Sequence, residues 1–336
     1  MEEKDYFYLG LKLSDKLYKY LEKTNLLPEY PNLRLLAEDV VERIISEIIE
    51  KGELKSNRLL EKFILTQSQQ YIKRIASRLF LEGRKLRDVI QLAPIKLILI
   101  IGAGFSFEAG MPLTRHLSLI LKPMGFDVKE YEDIKEAFRK ISQDKEKDKE
   151  FKERFILYLK EGLQRGEIKI TEAHEIVIKK FGDDKILEIL CLNWDNLLEI
   201  CYKKLTGNKI LKINRENVSI QEDTFLHCLW KFHGDVDDPD YEWIYPGTKG
   251  RVFSNFKKYL EFLIKQRKYT LCGLVVGYSE LDEEMGNVIE MIEKSFVLFR
   301  VGMDMRLFNK YENYILAPAR WILPQIFSDQ TNDNEK

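Results

Sequence analysis

The sequence predicts an α/β protein with a Rossmann-like parallel sheet, helices on both faces of that sheet, and an all-α region before it. Short apolar runs rich in branched residues recur from residue 95 onward and are typical of buried parallel strands. Glycine or polar residues follow these runs directly, and stretches of helical periodicity separate them. Residues 1–94 show helical periodicity without any strand pattern.

The first 94 residues contain three helical segments, at about 6–24, 34–52 and 56–90. Apolar residues recur there at three- and four-residue steps, which is the spacing of one helix face. We therefore predict a helical N-terminal domain over 1–94 and a catalytic domain over 95–336. The alternative is that these helices simply flank the sheet.

Composition narrows the class of protein. Apolar residues make up 45% of the 336, which indicates a globular chain, and the net charge of −1 gives no indication of nucleic acid as a partner. No segment reaches the roughly 18–20 apolar residues that span a membrane. The four cysteines are widely spaced and no apolar signal segment precedes them, so we expect reduced, mostly buried thiols and a cytoplasmic location.

The first motif follows the apolar run Ile95–Ile101. Gly102–Gly104 forms a tight turn after this strand, and Ser106 lies in a helix that opens there. Free backbone N–H groups at a helix N-terminus bind anions, and a dinucleotide diphosphate is the natural occupant. Phe107 stands where the usual fingerprint has its third glycine, so the motif alone is equally consistent with an ordinary strand-to-helix turn.

Two later strands end in polar residues. Ile186–Leu192 is followed by Asn193 and Asp195, and Phe225–Phe232 is followed by His233. Open α/β sheets bind ligands at the carboxyl ends of their strands, so these side chains are candidate site residues. The alternative interpretations are that Asn193 or Asp195 caps the next helix and that His233 is structural.

Two further strands are predicted after these. Thr270–Val276 is followed by Gly277 and Ser279, a second strand–glycine–helix unit that offers a contact to a phosphate or ribose, and Ser295–Val301 is the last predicted strand. The highly charged stretch 130–160 is interpreted as a solvated helix face without a function.

The four motifs, in this order, resemble the NAD-binding catalytic domain of the sirtuin family. The resemblance covers about the last two thirds of the chain and implies that NAD is bound as the substrate. It implies cofactor-binding roles for Gly102, Ala103, Gly104, Ser106, Arg115, Asp195, Gly277 and Ser279, and catalytic roles for Asn193 and His233.

Departures from the family pattern point to a subclass. Leu113 and Thr114 stand where protein-deacylating members have Asp-Phe, and Leu192 replaces the usual glutamine. No Cys-x-x-Cys pair is present, whereas deacylating sirtuins carry two such pairs in a zinc module. The chain therefore resembles the zinc-free bacterial and archaeal sirtuin-like NAD hydrolases, many of which act in antiphage defence, and we expect no metal.

The resulting expectation is an NAD glycohydrolase that releases nicotinamide and ADP-ribose. An ADP-ribosyltransferase, an NAD-dependent deacylase and a non-catalytic NAD or ADP-ribose sensor are the alternatives. An unregulated NAD hydrolase would deplete its own cell, so we expect control by homo-oligomerisation or by a regulatory partner that binds residues 1–94.

Overall fold

The structure is a computed structural model that describes residues 3–24, 26–27, 33–51, 57–92, 95–216, 226–248, 252–266, 270–279 and 283–327. The chain divides into two compact units, Met1–Gly83 and Arg84–Lys336. This division falls within a long helix, whereas the predicted boundary lies just before the first strand. Position 94 is outside the described residues, so the division into 1–94 and 95–336 stays a prediction.

Helices make up the described part of the first unit. They are α1 (Glu3–Thr24), α2 (Leu33–Lys51) and α3 (Asn57–Gln91), and α3 continues past the division. Leucine and isoleucine side chains at helical spacing are buried, as in Leu13, Leu17 and Leu21 of α1, which packs against α2. Among the described residues, no helix is both long and apolar enough to cross a membrane.

The second unit contains a parallel sheet. Within the described residues its strands are β1 (Ile95–Ile101), β2 (Ile186–Cys191), β3 (Lys212–Ile213), β4 (Leu229–Lys231), β5 (Thr270–Val276), β6 (Val297–Gly302) and β7 (Tyr314–Leu316). Their order is β3-β4-β2-β1-β5-β6-β7, and every pairing is parallel. β1 and β2 are almost entirely apolar because both faces of a central parallel strand are covered.

Helices cover both faces of this sheet, which confirms the predicted fold class. They are α4 (Ala103–Phe107), α5 (Ser118–Leu121), α6 (Tyr131–Ser142), α7 (Lys145–Arg165), α8 (Glu172–Gly182), α9 (Leu197–Thr206), α10 (Ser254–Gln266), α11 (Glu283–Ser295), α12 (Met305–Lys310) and α13 (Ala319–Phe327). Residues of α10 and α11 share a hydrophobic core with the sheet, while α8 packs against β2 and α13.

A second hydrophobic core belongs to the segment inserted between β1 and β2. Phe138 of α6 and Phe151 of α7 meet edge to face at 4.9 Å, and Trp243 and Tyr245 from a later loop join the same cluster. The helices of this core face the carboxyl ends of the strands, and that arrangement creates the cavity described below.

Sequence and structure differ at the sheet edges. β3 and β7 were not predicted, because two or three residues give too little periodicity to recognise. The predicted strand 225–232 is shorter in the structure, where β4 covers Leu229–Lys231, and Phe225 lies outside the described residues. The four cysteines are all buried, as expected from their positions in core elements.

Candidate active site

The carboxyl ends of the strands open into a cavity of about 530 Å³, within the usual range for small-molecule sites. The chain runs from β1 to β2 towards one edge of the sheet and from β5 to β6 towards the other edge. The cavity therefore lies where the strand order changes direction, at the switch point of the sheet. We call its sheet side the strand-end wall, formed by Gly102–Ala103, Ser106, Asn193–Asp195, His233 and Ser279. We call the opposite side the helical wall, formed by Glu132, Lys135, Arg139 and Ile244–Thr248.

Most of the predicted site residues lie at this cavity, and three do not. Those that line it are Gly102, Ala103, Ser106, Asn193, Asp195, His233 and Ser279. Gly104, Gly277 and Arg115 are not among its described lining residues. Gly104 and Gly277 lie directly behind the strand-end wall, and Arg115 lies in the short 3₁₀ turn Thr114–His116, with its Nε 3.3 Å from His116 Nε2.

Asn193 is a polar side chain of the strand-end wall that two hydrogen bonds hold in place. Its Nδ2 donates to the carbonyl of Gly102 at 3.1 Å and to Ser106 Oγ at 2.9 Å, and the residue is only 7% exposed. Because a carbonyl only accepts, the atom facing Gly102 is the amide nitrogen. The amide oxygen is therefore the group that can accept a hydrogen bond from a molecule in the cavity.

Asp195 both lines the cavity and supports the next helix. Its Oδ1 accepts the N–H of Leu197, the first residue of α9, at 3.2 Å, although the N-cap of that helix is Asn196, which makes no side-chain capping bond. Its backbone carbonyl accepts a hydrogen bond from the fully buried Lys231. Burial alone would lower the pKa of Lys231, but the Glu199 carboxylate 3.9 Å away and nearby acidic groups raise that pKa above its usual value. A charged lysine thus fixes the backbone beneath Asp195.

Trp194 connects the strand end carrying Asn193 to the loop carrying His233. Its Nε1 donates to the carbonyls of His233 at 3.0 Å and of Ile244 at 3.2 Å. The His233 carbonyl also accepts the N–H of Ile244 at 2.7 Å. The ring of Trp194 stacks on Trp243 with centroids 5.3 Å apart, so the backbone of His233 is held from two directions.

The motif glycines are required by close packing of two backbone segments. A Cβ at Gly102 would lie 2.6 Å from the Gly277 carbonyl oxygen, and a Cβ at Gly104 would lie 2.9 Å from Gly277 Cα. Gly277 has a φ of +66°, and a Cβ there would lie 2.3 Å from the backbone nitrogen of Phe105. At these three positions glycine is therefore needed for the contact between the two turns.

Backbone donors of the same turn are already in use. Gly102 N–H bonds to the carbonyl of Val276, Gly104 N–H to that of Gly277, and Phe105 N–H to that of Gly102, at 2.9, 2.9 and 3.0 Å. The sequence had predicted free N–H groups converging on an anion, and for these three that prediction is wrong. The second strand and its glycine turn accept two of these N–H groups, at Gly102 and Gly104, and this contact between distant segments cannot be recognised from the pattern of one segment.

The helical wall was missed by sequence reasoning. Glu132, Lys135 and Arg139 belong to the charged stretch that was interpreted as a solvated face, yet they line the cavity. The stem of Lys135 is also close enough to Gly247 to leave no room for a Cβ, which would lie 2.8 Å from Lys135 Cβ. The aromatic-rich loop at 241–247 was visible in the sequence, but its meeting with α6 is a tertiary feature.

A group of carboxylates lies beside the strand-end wall. Glu199, Asp235 and Asp237 approach one another closely enough to share a cation. The ammonium of Lys212 lies among them, with its Nζ 3.3 Å from Glu199, 2.5 Å from Asp235 and 3.1 Å from Asp237. The Lys212 ammonium therefore supplies the positive charge that balances these carboxylates.

No family model and no curated protein matches the chain. It is similar to solved Sir2 enzymes, one of them described under the mechanism and regulation of these enzymes, with 13% identity and a TM-score of 0.44 over 74% of this chain and 96% of that one. A Sir2 homologue mutant in complex with ADP-ribose has 10% identity and a TM-score of 0.46 over 73% and 94%. Sir2Tm bound to a propionylated peptide has 13% identity and a TM-score of 0.45, over 73% of this chain and 97% of that one.

Proposed function

We propose that the chain is a zinc-free, sirtuin-like NAD glycohydrolase that cleaves NAD into nicotinamide and ADP-ribose. One observation carries the proposal: Asn193 and His233 line a single cavity and are connected through the Trp194 indole. An anchored amide and an imidazole at neighbouring strand ends suit the delivery of water to a sugar carbon.

The reaction needs one water and one base. The bond between the nicotinamide nitrogen and ribose C1′ breaks, its electron pair stays with nicotinamide, and the cationic ring leaves as a neutral molecule. The Asn193 amide oxygen orients the water that adds to C1′, and His233 accepts the proton released by that water. Histidine is the usual general base near neutral pH, and such a base contributes roughly 10²- to 10⁴-fold in rate. No metal is required in this scheme.

Asp195 is proposed to orient the leaving group. One of its carboxylate oxygens bonds to Leu197 N–H, and the carboxylate still has acceptor capacity for the carboxamide N–H of nicotinamide. The fixed backbone above Lys231 would keep this acceptor in place. Positioning of this kind supplies part of the rate enhancement, because the reacting groups are already oriented on binding.

The biological proposal is NAD depletion in the cytoplasm as a defence against phage. Residues 1–94 are proposed to form the surface for self-association or for a regulatory partner. This follows from the hazard of an unregulated NAD hydrolase, and the described lining residues of the cavity all belong to the second unit.

Chromatography of the products tests the function directly. The purified full chain is incubated with NAD, and we expect nicotinamide and free ADP-ribose in equal amounts. ADP-ribose attached to protein would instead support the transferase, and tight binding of unchanged NAD would support the sensor. Either of these results would overturn the hydrolase proposal.

A further inference from the structure

A diphosphate in this cavity requires positive charge, and the strand-end wall supplies little. The diphosphate of a dinucleotide carries two negative charges, which are costly to bury without a partner. The N–H groups of Gly102, Gly104 and Phe105 are bonded to backbone carbonyls. Arg115, a predicted cofactor-binding residue, is not among the described lining residues, and Asp195 contributes a carboxylate.

The helical wall supplies the missing charge. Among the described residues that line the cavity, the lysine and arginine side chains are those of Lys135 and Arg139. They are four residues apart on α6, which places them on the same face of the helix, one turn apart. Two cations at this spacing can contact the oxygens of two adjacent phosphates.

Both cations are held loosely enough to change partner. Lys135 Nζ lies 2.9 Å from Glu132 and 4.7 Å from the centre of the Tyr131 ring, and Arg139 bonds to Glu136. The carboxylates are exposed, with 76% of the Glu132 side chain accessible to solvent. Exposed ion pairs of this kind contribute roughly 0–1 kcal/mol, so a substrate phosphate can compete for the cation.

We propose that Lys135 and Arg139 form the binding site for the diphosphate of the substrate. This inference rests on the proposed NAD-cleaving function. The stem of Lys135 is kept against Gly247, so the loop of the helical wall positions the cation while its ammonium remains able to swing between Glu132 and a phosphate.

ADP-ribose binding to the full chain tests the site without requiring catalysis. Its Kd is measured by calorimetry at low and high salt for the wild type and for the double variant Lys135→Gln, Arg139→Gln. We expect the double variant to bind about tenfold or more weakly and to lose most of the salt dependence, because charged hydrogen bonds to phosphate are removed. Lys140→Gln is the matched control: it lies on the same helix, pairs with Glu136, is not a described lining residue, and should bind as the wild type does.

The outcomes separate this inference from the proposed function. An unchanged Kd in the folded double variant, or no ADP-ribose binding by the wild type, overturns the diphosphate site. If the wild type cleaves NAD while the double variant keeps its affinity, the hydrolase stands and this site falls. If ADP-ribose binding depends on both cations but NAD is not cleaved, the site stands and the hydrolase falls.

Discussion

The two walls of the cavity are built differently. The strand-end wall rests on turns whose backbones pack on one another, with glycines at 102, 104 and 277 that leave no room for a Cβ. The helical wall consists of long side chains on α6 and a loop that rests on one of them. Substitutions in the first wall should therefore disturb folding or chemistry, whereas substitutions of the α6 cations in the second should alter affinity alone.

The largest effect is expected at Gly277. Gly277→Ala places a Cβ 2.3 Å from the Phe105 nitrogen at a φ of +66°, so the two turns must separate. We expect a loss of about 3 kcal/mol or more in the free energy of unfolding, measured by chemical denaturation. Gly286→Ala is the control, since a Cβ there meets no atom within 4 Å and the site is helical, and it should be neutral or slightly stabilising. Equal stability of the two variants would contradict the packing explanation.

Asn193→Ala should reduce catalysis while leaving binding largely intact. The substitution removes the amide that bonds Gly102 and Ser106 and, on our account, the oxygen that orients water. We expect kcat for NAD cleavage to fall by about 10²-fold while the Kd of ADP-ribose changes by a few-fold at most. The reverse pattern, weaker binding with normal kcat, would mean that Asn193 serves as a binding residue.

Acid should destabilise the support of the strand-end wall through His174. This buried histidine lies against Phe105, with ring centroids 4.5 Å apart, and burial lowers its pKa to about 4. The unfolded chain takes up a proton near pH 6.5 and the folded chain does not, so stability falls as the pH drops from about 6.5 towards 4. Between pH 7.5 and pH 5 this contributes a loss of about 2 kcal/mol, which His174→Gln should lack. An equal loss in both proteins would show that His174 is not responsible.

The smallest effect is expected for Trp194→Phe. Phenylalanine keeps the aromatic packing but removes the N–H that bonds the carbonyls of His233 and Ile244. We expect a several-fold decrease in kcat, equivalent to roughly 1 kcal/mol, a shifted pH profile of kcat, and little change in ADP-ribose affinity. An unchanged pH profile and kcat would mean that Trp194 does not position His233.

Sequence reasoning succeeded where secondary structure follows from local pattern. The apolar runs predicted β1 and β5 with the bounds that the structure has, and parallel strands necessarily end at the same edge. That is why Asn193 and His233, 40 positions apart in the chain numbering, could be expected at one cavity. Their catalytic roles remain a prediction.

The helical wall could not be predicted because its identity depends on tertiary position. Lys135, Arg139 and Lys140 lie within six residues of one helix, and only the first two line the cavity. Hydrophobic periodicity shows which face of α6 is buried. It does not show which charged residues beside that face lie opposite the strand ends, because the strands come from other parts of the chain. The bonding of Gly104 N–H to Gly277 has the same origin, since it joins turns that are distant in sequence.

The most direct measurement of the central claim is NAD cleavage by His233→Ala, with ADP-ribose affinity determined on the same preparation. The account predicts a loss of about 10²-fold or more in kcat and a nearly unchanged Kd, because the base is removed and the diphosphate site is not. His227→Ala is the control. The His227 ring stacks on Phe181 with centroids 3.9 Å apart, and His227 is not among the described lining residues, so this substitution should lower stability and leave kcat unchanged. Near-normal NAD cleavage by folded His233→Ala would contradict the account.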